Sequence, residues 1–383
     1  MRASIVGLFL GAALLLQGAA KCQPRAQMSL EQRFQELDRN GDDRLTADEV
    51  GRGDWLKQAD ANRDGAVTLD EGRAFIGRRA ARRQTAQQAP QSPPMPDMQK
   101  HLDIPYANAD GVDPNLLSLD IYAPPGAEGA PVMVFVHGGG WRAGDKAGPA
   151  MMQYHVPHFV AAGYVYVSVN YRLTPAVRHP VHVQDVAAAV AWLHNHIGEY
   201  GGNASCIFLM GHSAGSHLVS LVATDDRYLK AHGKDLRIVR GVVALDNPGF
   251  DIPRLLPQVN AGLRATYEAA FSQNPEAQRD ASPIAHVAEG KHIPAFFIVP
   301  SGQRRGDVLK VFEDMAEALL KVGSPAKVFV AVGKDHGGVN RAVGVPGDEL
   351  SAAVMDLLAG RLAEKAADQT ESSAGHPNEE PEP

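Results

Sequence analysis

The sequence predicts a large α/β domain, with a mostly parallel sheet and helices on both faces, preceded by a small all-α module. Between residues 101 and 363, short apolar runs alternate with stretches of helical periodicity, an order typical of parallel strands joined by helices. Between residues 28 and 77, acidic residues instead recur in two twelve-residue loops. The 383 residues are 44% hydrophobic, which is sufficient for a sizeable core.

The composition of the chain excludes several classes of protein. The formal net charge is −7, whereas a general nucleic-acid binder shows a basic footprint. Two cysteines exclude both a disulfide scaffold and a Cys-rich zinc module. We therefore expect no nucleic-acid partner.

Residues 1–20 are predicted to form a cleaved secretory signal. Arg2 supplies a positive charge, an apolar run follows from Ile5 to Leu16, and small residues end at Ala20. The apolar run is shorter than the roughly 20 residues that span a bilayer. The segment predicts a secreted or periplasmic protein without a stable membrane anchor.

Residues 60–71 have the spacing of an EF-hand calcium loop. Oxygen donors recur at alternate positions, Gly65 occupies the sharp turn at position six, and the Glu at position twelve offers two oxygens. Ca²⁺ takes about six to eight oxygen ligands, including a backbone carbonyl at position seven. The predicted ligands are Asp60, Asn62, Asp64, Ala66, Thr68 and Glu71.

Residues 38–49 repeat this spacing. Their predicted ligands are Asp38, Asn40, Asp42, Arg44, Thr46 and Glu49. Asp43 replaces the glycine at position six, so we expect this loop to bind Ca²⁺ more weakly. The loops begin only 22 residues apart (38 and 60), so one short helix must serve both. The module, residues 28–77, resembles compact bacterial EF-hand pairs and dockerin-like repeats, which implies a calcium-stabilised structural unit or a docking surface for a partner.

Two segments are predicted not to fold. Residues 78–100 contain a basic cluster followed by Gln, Ala and Pro, a composition typical of a linker. Residues 364–383 form a polar, acidic tail.

In the large domain, residues 101–363, the apolar runs predict strands at 116–122, 131–136, 164–169, 206–210, 239–245, 295–300 and 326–332, and the periodicity predicts helices at 183–197, 216–224, 308–322 and 350–363. Ligands of such sheets bind beyond the carboxyl ends of the strands. Candidate chemistry is therefore expected directly after the apolar runs.

Ser213 is the predicted nucleophile. It lies in Gly211-His-Ser-Ala-Gly215, directly between a predicted strand and a predicted helix. This is the setting of a G-x-S-x-G elbow, in which small residues permit a tight turn that exposes the serine hydroxyl. A second motif, the glycine run 138–140, also follows a strand. Because glycine has no side chain, the backbone N–H groups of this run can approach an oxyanion closely.

His336 is the predicted general base, because it follows the last predicted strand and comes after the serine in the chain. Two carboxylates are candidates for the acid that orients it. Asp246 directly follows strand 239–245, and Asp307 is the only carboxylate in the loop after strand 295–300. We favour Asp246, because the end of a buried strand is rigid, whereas Asp307 follows a polar loop and suits a helix start equally well.

These motifs resemble the α/β-hydrolases of the esterase/lipase group that have an H-G-G-G oxyanion loop, in particular the hormone-sensitive-lipase-like and kynurenine-formamidase-like carboxylesterases. Residues 137–140 read H-G-G-G here. The resemblance covers residues 101–363 and implies that Gly139, Gly140 and Ala214 donate the oxyanion-hole N–H groups. In most such relatives the acid follows the strand that corresponds to 295–300.

The sequence therefore predicts a secreted serine carboxylesterase that hydrolyses short or moderately bulky esters, by analogy carbohydrate-linked ones, through an acyl-enzyme. The hydrolase chemistry is expected to require no cofactor, and Ca²⁺ is expected to be structural. Two alternatives stay open at this point. One is an amidase, formamidase or peptidase on the same triad, and the other is a calcium-dependent binding or docking protein with a non-catalytic hydrolase scaffold.

Overall fold

A computed structural model describes residues 29–50, 54–62, 64–77 and 92–374. The chain divides into two compact units, Met1–Ala89 and Pro90–Pro383. The predicted signal at 1–20, most of the predicted linker and the last nine residues of the predicted tail lie outside the described residues.

The first unit is a pair of helix–loop–helix motifs. Its elements are helices α1 (Leu30–Leu37), α2 (Ala47–Val50), α3 (Asp54–Ala59) and α4 (69–77), and strands β1 (Arg44–Thr46) and β2 (Ala66–Thr68). Ser29 begins α1 with a capping box, in which Ser29 and Gln32 each accept the other's backbone N–H. The two strands pair antiparallel, with Leu45 opposite Val67. These two side chains belong to a small core that also contains Phe34.

The second unit contains an eight-stranded sheet of order β10-β9-β8-β7-β5-β6-β4-β3. Its strands are β3 (Gln99–Pro105), β4 (Ser118–Ala123), β5 (Ala130–Val136), β6 (Val165–Val169), β7 (Gly202–His212), β8 (Val239–Leu245), β9 (Ala295–Val299) and β10 (Ala326–Val328). Within this sheet, the described pairs β3–β4 and β4–β6 are antiparallel and the others are parallel. The prediction of a mostly parallel sheet is confirmed.

Helices cover both faces of this sheet. They are α5 (Val156–Ala161), α6 (Val181–His196), α7 (Ala214–Thr224), α8 (Asp226–Lys230), α9 (Ile252–Leu255), α10 (Ala261–Phe271), α11 (Pro275–Asp280), α12 (Gly306–Lys321), α13 (His336–Ala342) and α14 (Glu349–Ala374). Alternation along β5 shows the two layers. Val132, Val134 and Val136 join the core with α6, α7 and α12, whereas Met133 and Phe135 join the core with α5 and α14.

The structure corrects several predicted boundaries, among them the strand predicted at 206–210, which spans Gly202–His212. Helix α14 continues to Ala374, so the tail does not begin at 364; residues 364–374 are rich in helix formers. Strand β3 begins at Gln99, inside the predicted linker, and as a largely exposed edge strand it lacks an apolar run. Strand β10 ends at Val328 rather than 332, and Val332 beyond it is 82% exposed. Among the described residues, none of the helices combines the length and apolarity needed to cross a membrane.

Candidate functional site

Ser213 occupies a strained turn between β7 and α7. Its backbone φ of 54° and ψ of −122° lie in a region that L-residues rarely adopt. The flanking glycines permit this turn, because a Cβ at Gly215 would lie 2.0 Å from the Val136 carbonyl oxygen and one at Gly211 would lie 2.3 Å from the Gly215 carbonyl oxygen. The hydroxyl is therefore presented from a rigid site at the carboxyl edge of the sheet.

The structure brings Ser213, His336 and Asp246 into one chain of hydrogen bonds. His336 is the first residue of α13, whose N-cap is Asp335. Its Nε2 lies 3.0 Å from Ser213 Oγ, and its Nδ1 lies 2.7 Å from Asp246 Oδ2. Asp307 is exposed in the first turn of α12, and it is Asp246 that bonds to His336.

Asp246 is fully buried and is held by more than the histidine. The backbone N–H of Ser301 donates to its Oδ1 at 2.9 Å. The Arg304 guanidinium donates a hydrogen bond to each carboxylate oxygen, with Nε 2.9 Å from Oδ1 and Nη2 3.0 Å from Oδ2. Burial opposes ionisation of this carboxyl, but the hydrogen bonds from His336 and Arg304 outweigh it and hold its pKa well below the usual range. Sequence reasoning missed Arg304, since no local motif marks it.

The glycine loop lies against the nucleophile. Gly139 and Gly140 have φ of 115° and 62°, and a Cβ at Gly138 would lie 3.0 Å from Ser213 Cβ. Ala214, the third predicted oxyanion donor, is the first residue of α7, where backbone N–H groups have no acceptor within the helix. The three predicted donors therefore belong to segments that meet at Ser213.

Helix α10 lies beside this loop. A Cβ added at Gly140 would lie 3.0 Å from the Thr266 methyl group. The next residue, Tyr267, donates from its hydroxyl to Asn247 Oδ1 at 2.9 Å, and Asn247 Nδ2 donates to the Ser213 carbonyl oxygen at 2.8 Å. Sequence reasoning missed this connection between the nucleophile and α10.

His212 packs against the base. The two rings have centroids 4.6 Å apart, and His212 Nε2 lies 2.8 Å from the His336 carbonyl oxygen. Burial, followed by the neighbouring His336, lowers the pKa of His212 to about 4. The His212 ring is therefore neutral at neutral pH.

The two acidic loops of the first unit repeat one hydrogen-bond pattern. In both, the carboxylate at position one accepts backbone N–H groups from positions five and six: Asp38 from Asp42 and Asp43, and Asp60 from Asp64 and Gly65. The carboxylate at position twelve accepts from positions two, three and nine, and the residues that accept in this way are Glu49 and Glu71. Backbone hydrogen bonds from Thr46 and Thr68, respectively, are the main cause of their lowered pKa values.

The structure also shows how the first loop accommodates its missing glycine. Asp43 adopts φ of 60° where Gly65 has 90°, and the donors at the other positions keep the order that a Ca²⁺ site requires. Arg44, predicted to offer only its carbonyl, directs its guanidinium to Asp64 in the second loop. Within the described residues, no three His, Cys, Asp or Glu side chains are gathered closely enough to hold a metal ion.

Each of the two units of the chain contains a segment that matches a known protein family. The family described as BD-FAE matches residues 119–304, and the EF hand family matches residues 53–75. From Mycobacterium tuberculosis, the probable carboxylic ester hydrolase LipM is 32% identical over 47% of this chain and 44% of that protein, and the esterase LipQ is 29% identical over 67% and 61%. The chain spans about half the length of the curated relatives it matches.

Solved structures share the fold of the second unit. Esterase B from Lactobacillus rhamnosis has a TM-score of 0.59 at 20% identity, covering 79% of this chain and 97% of that one. A truncated carbohydrate esterase from gut microbiota has a TM-score of 0.57 at 18% identity, covering 70% and 99%. These likenesses show the fold, and the predicted α/β-hydrolase architecture is confirmed.

Proposed function

We propose that this α/β-hydrolase chain is a serine carboxylesterase. The observation that carries the proposal is the chain of hydrogen bonds from Ser213 through His336 to Asp246, at 3.0 and 2.7 Å. A serine hydroxyl is a weak nucleophile unless an adjacent base takes its proton. The similarity to ester hydrolases in Mycobacterium tuberculosis supports an ester as the substrate.

The mechanism assigns one role to each group. Ser213 Oγ attacks the ester carbonyl while His336 Nε2 takes the hydroxyl proton, and Asp246 stabilises the imidazolium that forms. Backbone N–H groups of Gly139, Gly140 and Ala214 stabilise the oxyanion. His336 then protonates the leaving alcohol, and water, activated by the same histidine, releases the acid and restores Ser213.

The substrate is proposed to be a short or moderately bulky ester. Thr266 lies against the oxyanion glycine Gly140, so α10 limits the room beside the reacting carbonyl. A carbohydrate-linked ester is proposed by analogy alone. Fold alone does not specify a substrate, so the acyl and alcohol parts require separate tests.

A substrate panel tests the proposal. Turnover is measured on p-nitrophenyl esters from acetate to palmitate, on acetylated and feruloylated sugars, and on an ester and amide that share one acyl group. We expect turnover to fall steeply beyond medium chains, esters to exceed the amide, and Ser213→Ala to lose activity. Faster cleavage of the amide would instead favour an amidase, and activity in Ser213→Ala would reject the mechanism.

We further propose that the two acidic loops bind Ca²⁺. The match of residues 53–75 to the EF hand family and the repeated hydrogen-bond pattern support this. Titration calorimetry of the full chain with CaCl₂ is expected to show two sites of unequal affinity, with the second loop tighter. Glu71→Gln should remove the tighter site, and absence of heat in the wild type would reject the proposal.

We also propose export to the periplasm or the exterior, on the basis of the basic and apolar pattern of residues 1–20. Expression of the full chain in a bacterial host and mass measurement of the mature protein test this. Cleavage after Ala20 is expected, and an intact Met1 in the cytoplasmic fraction would reject it.

A further inference from the structure

Arg304 stands out among the charged groups near the proposed triad. It lies in the loop between β9 and α12, 58 residues from Asp246 in sequence, and its side chain is 22% exposed. Its guanidinium meets both oxygens of a carboxylate that is itself 0% exposed. This two-point geometry specifies the plane of the carboxylate, which a single-point cation does not.

The loop that holds Arg304 is itself fixed. Ser301 is buried, its N–H donates to Asp246, and Gly302 N–H donates to the carbonyl oxygens of Ala331 and Lys334 at 2.9 and 3.1 Å. The segment 331–335 leads directly into His336. The Arg304 loop is therefore bonded both to the acid and to the segment that carries the base.

The buried charge of Asp246 explains why a cation such as Arg304 is needed beside it. While His336 is neutral, a fully buried Asp246 without Arg304 would have no full positive charge beside it, and burial favours the protonated carboxyl. Arg304 keeps Asp246 ionised and turned so that Oδ2 faces His336 Nδ1. Its cost is that a second positive charge opposes the imidazolium that forms during the reaction.

We propose that Arg304 is a positioning residue for the reaction: it acts through Asp246, which it holds in the orientation that the base His336 requires. This inference rests on the proposed esterase function.

Charged and titratable groups face His336 from each element packed against it. They are Asp246 at the end of β8, Arg304 after β9, His212 at the end of β7, and Asp335 with its partner Arg341 at α13. His212 is neutral above about pH 4. Of these groups, Arg304 is the one whose removal takes a positive charge away from the Asp246–His336 pair.

The test compares Arg304→Met, Arg304→Lys and Arg227→Met by kcat, KM and the pH profile of kcat/KM on a short p-nitrophenyl ester. Arg227 is a matched control. Its guanidinium also donates two hydrogen bonds to a buried carboxylate, that of Asp225, and this pair lies away from the triad. For Arg304→Met we expect kcat to fall about 10- to 100-fold across the pH profile, while KM stays within about twofold. Arg304→Lys should lower kcat less, because a lysine keeps the positive charge but not the two-point contact.

Each result decides the proposal. An unchanged kcat in Arg304→Met would overturn it, as would equal losses of kcat in Arg304→Met and Arg227→Met. If Arg304→Met does not fold, wild-type kcat in Arg304→Lys would overturn the positioning role. Wild-type protein that hydrolyses no ester would instead reject the esterase function, so the two failures are distinguishable.

Discussion

At the scale of single residues, the site depends on which carboxylate serves the base. Two candidates follow neighbouring strands; the sequence favours Asp246, which directly follows an apolar run, and keeps Asp307 as the alternative. The structure differs sharply for the two: Asp246 is buried and bonded to His336, whereas Asp307 is exposed in α12. A buried carboxylate can stabilise an imidazolium far better than a solvated one.

A pair of substitutions tests this difference. Asp246→Asn should lower kcat on the order of 10³- to 10⁴-fold, because it removes the charge and disturbs the tautomer of His336. Asp307→Asn should change kcat by less than about twofold. Steady-state kinetics on a short ester measure both, and a larger loss in Asp307→Asn would contradict the assignment of the acid.

At the scale of elements, the nucleophile depends on the close approach of β5, β7 and α7. Gly215→Ala would place a methyl group 2.0 Å from the Val136 carbonyl oxygen, a contact that only backbone movement relieves. We expect a loss of more than about 3 kcal/mol in the free energy of unfolding. Gly198→Ala is the control, since a Cβ there meets no atom within 4 Å. Equal denaturation midpoints for the two variants would refute this explanation of the elbow.

The calcium loops offer a second prediction at this scale. Asp43 holds a left-handed φ of 60° that glycine adopts at little cost. Asp43→Gly should therefore raise the Ca²⁺ affinity of the first loop by about three- to tenfold, as relief of roughly 1 kcal/mol of strain allows. Calorimetry measures the change, with Asp48→Gly as a control outside the ligand positions. Unchanged or weaker binding in Asp43→Gly would show that strain does not limit this loop.

Some elements of the site could be predicted from the sequence and others could not. The elbow around Ser213 was predictable because its chemistry is local: five consecutive residues between a strand and a helix specify it. The contact of Arg304 with Asp246 was not, because it joins segments 58 residues apart and depends on the path of an irregular loop. Strand β3 was missed for a different reason, since an exposed edge strand needs no apolar face.

At the scale of the whole molecule, buried histidines couple folding to pH. His155, His182 and His217 are at most 1% exposed, and burial lowers their pKa values to about 4, 4 and 3. Between about pH 6.5 and 4 the unfolded chain therefore binds more protons than the folded one. Their contribution to stability is complete above about pH 6.5 and is lost as the pH falls toward 4.

We therefore expect the free energy of unfolding to fall by about 1 kcal/mol per histidine for each pH unit below 6.5. Denaturant unfolding of the full chain from pH 8 to 4.5 measures this slope. A free energy that stays constant down to pH 5 would show that these histidines do not govern acid stability.

Ser213 is proposed to be an activated nucleophile, and a fluorophosphonate probe, which reacts with such serines, measures this activation. The full chain is treated with the probe, digested, and mapped by mass spectrometry, alongside His336→Ala. We predict a single adduct on Ser213, formed at least about 100-fold faster in the wild type than in His336→Ala. An adduct on another residue, or equal rates in the two proteins, would show that Ser213 is not activated by His336.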